Sequence, residues 1–380
     1  MTNPVAGTPT VRLDALTGLR WWAAFMVFLF HMRVFAPIPS PLAAVFDQGY
    51  LGVTFFFVLS GFVLTWSLKP GVSTSTFYWR RFARIWPATM VSLLLAIPVF
   101  YYIGFGASSP ALELKPFDVG ILLLSVVLLQ GWWSNPVILF SGNPAAWTLT
   151  FEAFFYALHP WISRVLGRWS KRGALWLAGG TMALMFALRA GLIFWPGSFI
   201  ALIPGPVYRL PEFVIGMALA WALRSGWRPR LHPVIGVGSL AAAVLLVVVA
   251  IRVPALGFVP SFNNELFTFA VGLAIVSLAV ATLNGKTSFF ESKLQVKLGE
   301  WSFAFYLVHA TVIYAFLRVF GPQAPSWRNL GWMALVFVID VFLAWALHSF
   351  VERPAEKALR SWKDRRDALK LAAASTTSGQ

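Results

Sequence analysis

The stretch Gly18–His31 reads GLRWWAAFMVFLFH, an apolar run with an arginine near its start and a histidine at its end, with ten residues between them. Eleven positions along an α-helix correspond to about 16 Å of rise and about 20° of rotation. Arg20 and His31 therefore share one helix face, joined through Ala24 and Val27. An ionised side chain at mid-bilayer costs roughly 2.5–3.5 kcal/mol on insertion scales, so such residues in a greasy helix are functional candidates by default. The apolar run that contains this stretch, near 15–36, is long enough to cross a bilayer as a helix, and that reading sets the fold class.

The composition agrees. The 380-residue chain is 58% hydrophobic and 12% charged, with a mean hydropathy of +0.72. Soluble domains carry roughly 25% charged residues. Apolar runs recur near 15–36, 50–68, 85–105, 117–133, 146–166, 174–195, 207–224, 233–251, 264–283, 298–319 and 330–351. The runs are continuous and do not alternate with polar residues, which predicts helices and argues against a spanning β-barrel. The N-terminal segment lacks the basic-then-apolar order of a cleavable signal. With no cysteine, thiol catalysis, disulfides and Cys-ligated metals are excluded. The five histidines have no metal-ligand spacing, so no metal site is expected.

Charge position fixes the expected topology. Of the 30 Lys and Arg residues, 23 fall in six clusters: Arg12 and Arg20; Lys69, Arg80, Arg81 and Arg84; Arg164, Arg168, Lys171 and Arg172; Arg224, Arg228 and Arg230; Lys286, Lys293 and Lys297; and seven from Arg353 to Lys370. Basic residues collect in cytoplasmic loops. All six clusters reach one side if a single segment between Arg84 and Arg164 fails to cross. The weakest is 117–133, short and followed by GWWSNPVILFSGNP. The fold class is thus an all-α polytopic helical bundle of about ten transmembrane helices, with a re-entrant or interfacial element around 106–145 and both termini cytoplasmic. The expected division is a short N-terminal segment (1–14), a transmembrane domain (15–352) and a basic, partly disordered tail (353–380). The net charge of +16 reflects topology, and no nucleic-acid partner is expected.

The polar residues inside the spans form stripes. In WTLTFEAFFYALHP, Thr148, Glu152, Tyr156 and His159 fall at helical spacing. With this helix entering from outside, Glu152 lies about 9 Å below the boundary, at a depth similar to His31. The two are expected to meet, with the carboxylate orienting the imidazole as a general base. Ser302, Tyr306 and His309 form another stripe, either packing glue or site lining. His159 and His348, near helix ends, read as structural. Arg80, Arg81 and Arg84 in FYWRRFARIWP read either as positive-inside anchors or as a clamp for phosphates, which guanidinium forks suit. Arg209 and Glu212 in YRLPEF form a local ion pair or contact an acceptor.

Taken in order, GLRWWAAFMVFLFH, GYLGVTFFFVLSGFVL, WRRFARIWP, LLQGWW, AWTLTFEAFFYALHP, YRLPEFVIGM and LGEWSFAFYLVH resemble the acyltransferase 3 family of bacterial membrane acyltransferases over essentially the whole chain. GLRWWAA and GVTFFFVLSGFVLTWS look most like the branch that includes macrolide-sugar acyltransferases. The family hallmark of a basic residue, ten residues and an essential histidine falls on Arg20 and His31, and its arginine pair on Arg81 and Arg84. Its Trp-Ser/Thr-Leu…Glu…Phe-Tyr motif falls on Trp147, Thr148, Leu149, Glu152, Phe155 and Tyr156. The chain departs from many relatives in carrying Thr54 where they have an acidic residue.

The resemblance implies transfer of an acyl group, acetyl first, from cytosolic acyl-CoA to a hydroxyl of a carbohydrate or glycosylated acceptor. It implies a multi-pass protein of the bacterial cytoplasmic membrane, in contact with membrane lipid and without a tightly bound cofactor. His31 is then the general base or an acyl relay, oriented by Glu152 or another acidic or polar neighbour. Arg20, Arg80, Arg81 and Arg84 hold the donor, and Trp147, Thr148, Tyr156, Arg209, Glu212, Tyr306 and His309 contact substrate. Ten spans with a polar interior also fit a transporter or flippase of a lipid-linked or glycosylated substrate. The absence of an inverted repeat and of matching Gly/Pro-broken helices counts against that alternative.

Overall fold

The structure, a computed structural model, describes residues 11–69, 71–102 and 114–377. The long helices are α1 (Asp14–Phe35), α2 (Gly52–Trp66), α3 (Thr74–Ile97), α4 (Val119–Val126), α5 (Trp147–Leu166), α6 (Lys171–Phe194), α7 (Gly205–Arg224), α8 (Pro233–Ala250), α9 (Asn263–Leu283), α10 (Lys293–Phe320), α11 (Asn329–Leu347) and α12 (Arg353–Thr377). Eight helical segments, built on α1, α2, α3, α6, α8, α9, α10 and α11, are long and apolar enough to cross a membrane. Two more helices, α5 and α7, are each 20 residues long. They are less apolar because they carry Glu152 and Arg164, or Arg209, Glu212 and Arg224. Glu152, Arg209 and Glu212 turn inward, where a polar group finds partners that lipid does not offer, while Arg164 and Arg224 sit at the helix ends.

All six basic clusters come together at one end of the bundle. The Trp66 indole donates to the Val11 carbonyl at 3.0 Å, tying the start of α1 to the end of α2. Arg224, at the end of α7, donates to the carbonyls of Thr65, Trp66 and Leu68 and so caps the end of α2. Arg164, at the end of α5, donates to Thr74 Oγ1 at the start of α3. Trp22 bonds Gln295 at the start of α10. Consecutive long helices therefore run antiparallel, as the charge pattern predicts.

Segment 117–133 does not cross. It folds as the eight-residue α4 followed by a short helical turn at Gln130–Trp132, and α4 is only about 12 Å long. The non-helical stretch to residue 146 is satisfied by side chains. Asn143 donates to the Leu307 carbonyl at 2.7 Å, Ser125 pairs with Ser141 at 2.6 Å, Tyr101 accepts from the Gly142 amide at 2.7 Å, and Gln130 bonds both Thr150 and the Ala146 carbonyl. Irregular backbone at membrane depth needs this protein enclosure. Residues 106–113 of the expected re-entrant element lie outside the described residues, as do residues 1–10 of the N-terminal segment.

Two helix pairs make the closest framework, α2 with α7 and α1 with α10. Gly61 and Gly216 face each other's helix so closely that a Cβ at either would overlap the backbone carbonyl of Phe213 or Val58. Small residues at such crossings let backbones pack without side chains between them. The basic tail is not loose: α12 extends to Thr377, through most of the stretch expected to be partly disordered, and lies along the first turns of α3.

Candidate active site

The cavity at the centre of the bundle has a volume of about 130 Å3 and opens between α1, α2, α3, α5 and α10. Arg20 reaches it from α1, Arg81 and Arg84 from α3, Ser60 from α2, Thr148, Glu152 and Tyr156 from α5, and Ser302 and Tyr306 from α10. Five separate stretches of sequence thus supply one polar chamber. Helical periodicity explains α5's share, because Thr148, Glu152 and Tyr156 repeat every four residues on one face.

Glu152 is held by two hydroxyls. Ser60 Oγ donates to Oε1 at 3.0 Å, and the Tyr156 phenol donates to Oε2 at 2.8 Å. Each carboxylate oxygen thus has an O–H donor, which fixes the orientation of the group. Three guanidiniums around a single carboxylate leave the chamber net positive, a setting for an anion.

The arginines divide into two kinds. Arg84 pairs with Glu352 at 2.7 Å and Glu356 at 3.1 Å, and Arg80 with Asp364 at 3.4 Å. These acids come from α12 and the turn before it. Among the described residues, Arg20 and Arg81 have no carboxylate within ion-pair distance. Arg81 lies over the Phe77 ring at 5.9 Å. Arg80 does not line the cavity.

His31 does not meet Glu152, contrary to the sequence expectation. Its Nδ1 lies 2.9 Å from the Val27 carbonyl and 3.4 Å from His309 Nε2. The reason is helix adjacency. Helix α1 packs on α10, while α5 packs on α7 and α2, so Thr148 and Tyr306 stand between the two groups. Matching depth says nothing about which helices are neighbours. The Tyr306 phenol bonds Thr148 at 3.0 Å, and its ring centroid is 5.4 Å from that of His309. The histidine pair therefore sits one side-chain layer beyond the arginine chamber, towards the end away from the basic clusters.

The remaining expected residues sit elsewhere. Trp147 packs edge-on against Phe151 and does not line the chamber. Arg209 pairs with buried Glu212 at 2.5 Å and donates to Thr54 Oγ1 at 2.8 Å. Thr54 in turn donates to Asn264. This second network, joined by Tyr208 and Glu265, encloses a separate small cavity. His159 stacks on Phe77 at 4.9 Å and contacts Thr65 and Ser163, and His348 bonds Glu352. Neither lines the chamber. Ser60 was not singled out from the sequence, although a lone hydroxyl in the apolar run GVTFFFVLSGFVL is a legible signal. The acids Glu352, Glu356 and Asp364 were hidden in a tail read only for its positive charge.

The sequence was compared with known proteins. The acyltransferase domain profile matches residues 13–349. The chain is similar to the acyltransferase MdmB of Streptomyces mycarofaciens, 34% identical over 92% of this chain and 93% of that protein. It is 26% identical to the nodulation protein 10 of Rhizobium leguminosarum over 92% and 94%. It is also 26% identical to the peptidoglycan O-acetyltransferase OatA of Listeria monocytogenes, over 91% of this chain but 56% of that longer protein. No solved structure matches. The match along nearly the whole chain decides between an enzyme and a transporter: the chain belongs to the acyltransferase 3 family and is a multi-pass membrane acyltransferase.

Proposed function

We propose that the chain moves an acyl group from acyl-CoA to a hydroxyl of a carbohydrate or glycosylated acceptor, with His31 as general base. The observation that carries this reading is the chamber in which Arg20 and Arg81, among the described residues, have no carboxylate within ion-pair distance. A phosphate-rich donor supplies the charge these guanidiniums lack. The gathering of basic clusters at one end supports a cytoplasmic placement of that end, where acyl-CoA is found. The similarity to the Listeria peptidoglycan O-acetyltransferase supports a carbohydrate hydroxyl as acceptor and acetyl as the group moved.

In this mechanism the donor's phosphates meet Arg20 and Arg81, and its thioester lies past Thr148 and Tyr306 beside His31. Arg84, fixed by Glu352 and Glu356, keeps further N–H donors for the same anion. His31 Nε2 takes the proton of the acceptor hydroxyl as that oxygen bonds to the thioester carbon. The C–S bond breaks, and the thiolate leaves with the proton that His31 returns. Ester and free thiol are the products, with no change in oxidation state.

The test is CoA binding to purified protein in nanodiscs. Loss of a charge-assisted contact costs about 1.5–3 kcal/mol, or roughly 10–100-fold in affinity. Arg20→Ala and Arg81→Ala are each expected to weaken binding by that much. Arg80→Ala, which breaks a solvent-facing pair, is expected to change it by about fivefold or less. Wild-type protein without measurable CoA affinity, or equal losses in all three variants, would contradict the reading.

A further inference from the structure

His31 and His309 face each other from α1 and α10, and the hydrogen bonds around them fix their protons. His31 Nδ1 is 2.9 Å from the carbonyl of Val27, one turn earlier in its own helix. His309 Nδ1 is 2.6 Å from the carbonyl of Tyr306, again in its own helix. A carbonyl oxygen only accepts, so each Nδ1 carries a hydrogen. Each Nε2 is then a lone pair. The lone pair of His309 Nε2 points at His31 Nδ1–H across 3.4 Å. Among the described residues, the lone pair of His31 Nε2 has no partner, while its ring is only half-buried. His309 itself is 1% exposed, too enclosed to be the residue a substrate reaches.

We infer that His309 is the positioning residue for His31. Its Nε2 shares His31 Nδ1–H with the Val27 carbonyl, reinforces the tautomer that leaves His31 Nε2 basic, and stabilises the imidazolium that forms when Nε2 takes the acceptor's proton. It performs, with a neutral imidazole, the task the sequence gives to Glu152. Groups that orient a reacting histidine through its other nitrogen commonly contribute 10–100-fold. The ring's surroundings suit the role. Phe30 from α1 stands edge-on to His31 at 5.0 Å, and Tyr306 lies against His309 at 5.4 Å. The charged groups near the pair are Arg33, on the same helix as His31, and Asp47, which pairs with Arg33 at 3.3 Å. No carboxylate among the described residues reaches either imidazole. This inference rests on His31 being the base.

The test compares two amides at position 309. A glutamine places its carbonyl oxygen where His309 Nε2 stands; an asparagine places it near Nδ1. Thioester turnover and CoA affinity are measured for His309→Gln, His309→Asn, His309→Leu and His31→Ala. His309→Gln is expected to stay within about fivefold of wild-type kcat, while His309→Asn and His309→Leu fall about 10–100-fold. CoA affinity is expected to stay unchanged in all of them. Equal losses in the Gln and Asn variants would overturn the positioning role, because a packing role does not distinguish the two amides by acceptor position. Full activity in His309→Leu would also overturn it, even with His31→Ala inactive. An active His31→Ala would instead remove the reading of His31 as base, so the two failures are told apart. Should His309→Leu not fold, the Gln–Asn contrast alone decides.

Discussion

Glu152 shows how a residue can be found correctly and given the wrong neighbour. Its carboxylate lines the chamber, where Ser60 and Tyr156 hold it, and it is separated from His31 by the Tyr306–Thr148 pair. Removing the carboxylate leaves two hydroxyls unpaired beside several cations. Glu152→Ala is therefore expected to lower stability by about 1–3 kcal/mol, read as a lower melting temperature in detergent. Tyr156→Phe removes one of the two donors and is expected to cost about 1 kcal/mol. The double variant is expected to be little worse than Glu152→Ala, because the shared bond is already gone. Additive losses would contradict a direct Tyr156–Glu152 bond. At this scale the sequence was legible wherever polar residues repeat along one helix, as Thr148, Glu152 and Tyr156 do. It was silent on Ser60 meeting Glu152 and His309 meeting His31, because those pairs depend on which helices are adjacent.

The elements were legible for a different reason. Apolar length fixes a span, so α1, α3, α6, α8, α9, α10 and α11 fall close to the runs read from the sequence, and the short, turn-rich 117–133 fails to cross. What sequence could not supply was the docking of α12. The chain passes from α11 through a turn at 348–352, and its acids then face the start of α3. The Trp79 indole donates to the Leu359 carbonyl at 2.8 Å, and Thr76 to Asp367 at 3.0 Å. A net basic tail conceals Glu356, Asp364 and Asp367, with Glu352 just before it, and all four reach α3 only because the segment is helical. Glu352 is fully buried, bonded by Arg84 and His348. Glu356 is 17% exposed and shares Arg84 and Arg360. Glu352→Ala removes the buried one of Arg84's two carboxylates and the partner of His348, leaving Arg84 only Glu356, and is expected to cost about 1–3 kcal/mol. Glu356→Ala is expected to cost about 1 kcal/mol or less. Thermal unfolding in detergent checks the ranking, and equal losses would contradict the buried anchor.

At the scale of the whole molecule, two sites sit at different depths of one bundle. The arginine chamber lies towards the end where all six basic clusters gather. The His31–His309 pair lies towards the other end, about 16 Å farther along α1 than Arg20. The opening stretch of sequence contains both landmarks, which is why a single helix signals the arrangement. A donor anchored by its phosphates and reacting at its thioester uses such a separation, with the acyl group carried along the bundle axis. The measurement that tests this most directly is CoA release from acetyl-CoA by purified protein, wild type beside His31→Ala, with CoA affinity measured on the same samples. The account predicts slow release by the wild type, loss of release to background in His31→Ala, and equal affinity for both. Release by His31→Ala at the wild-type rate would contradict it.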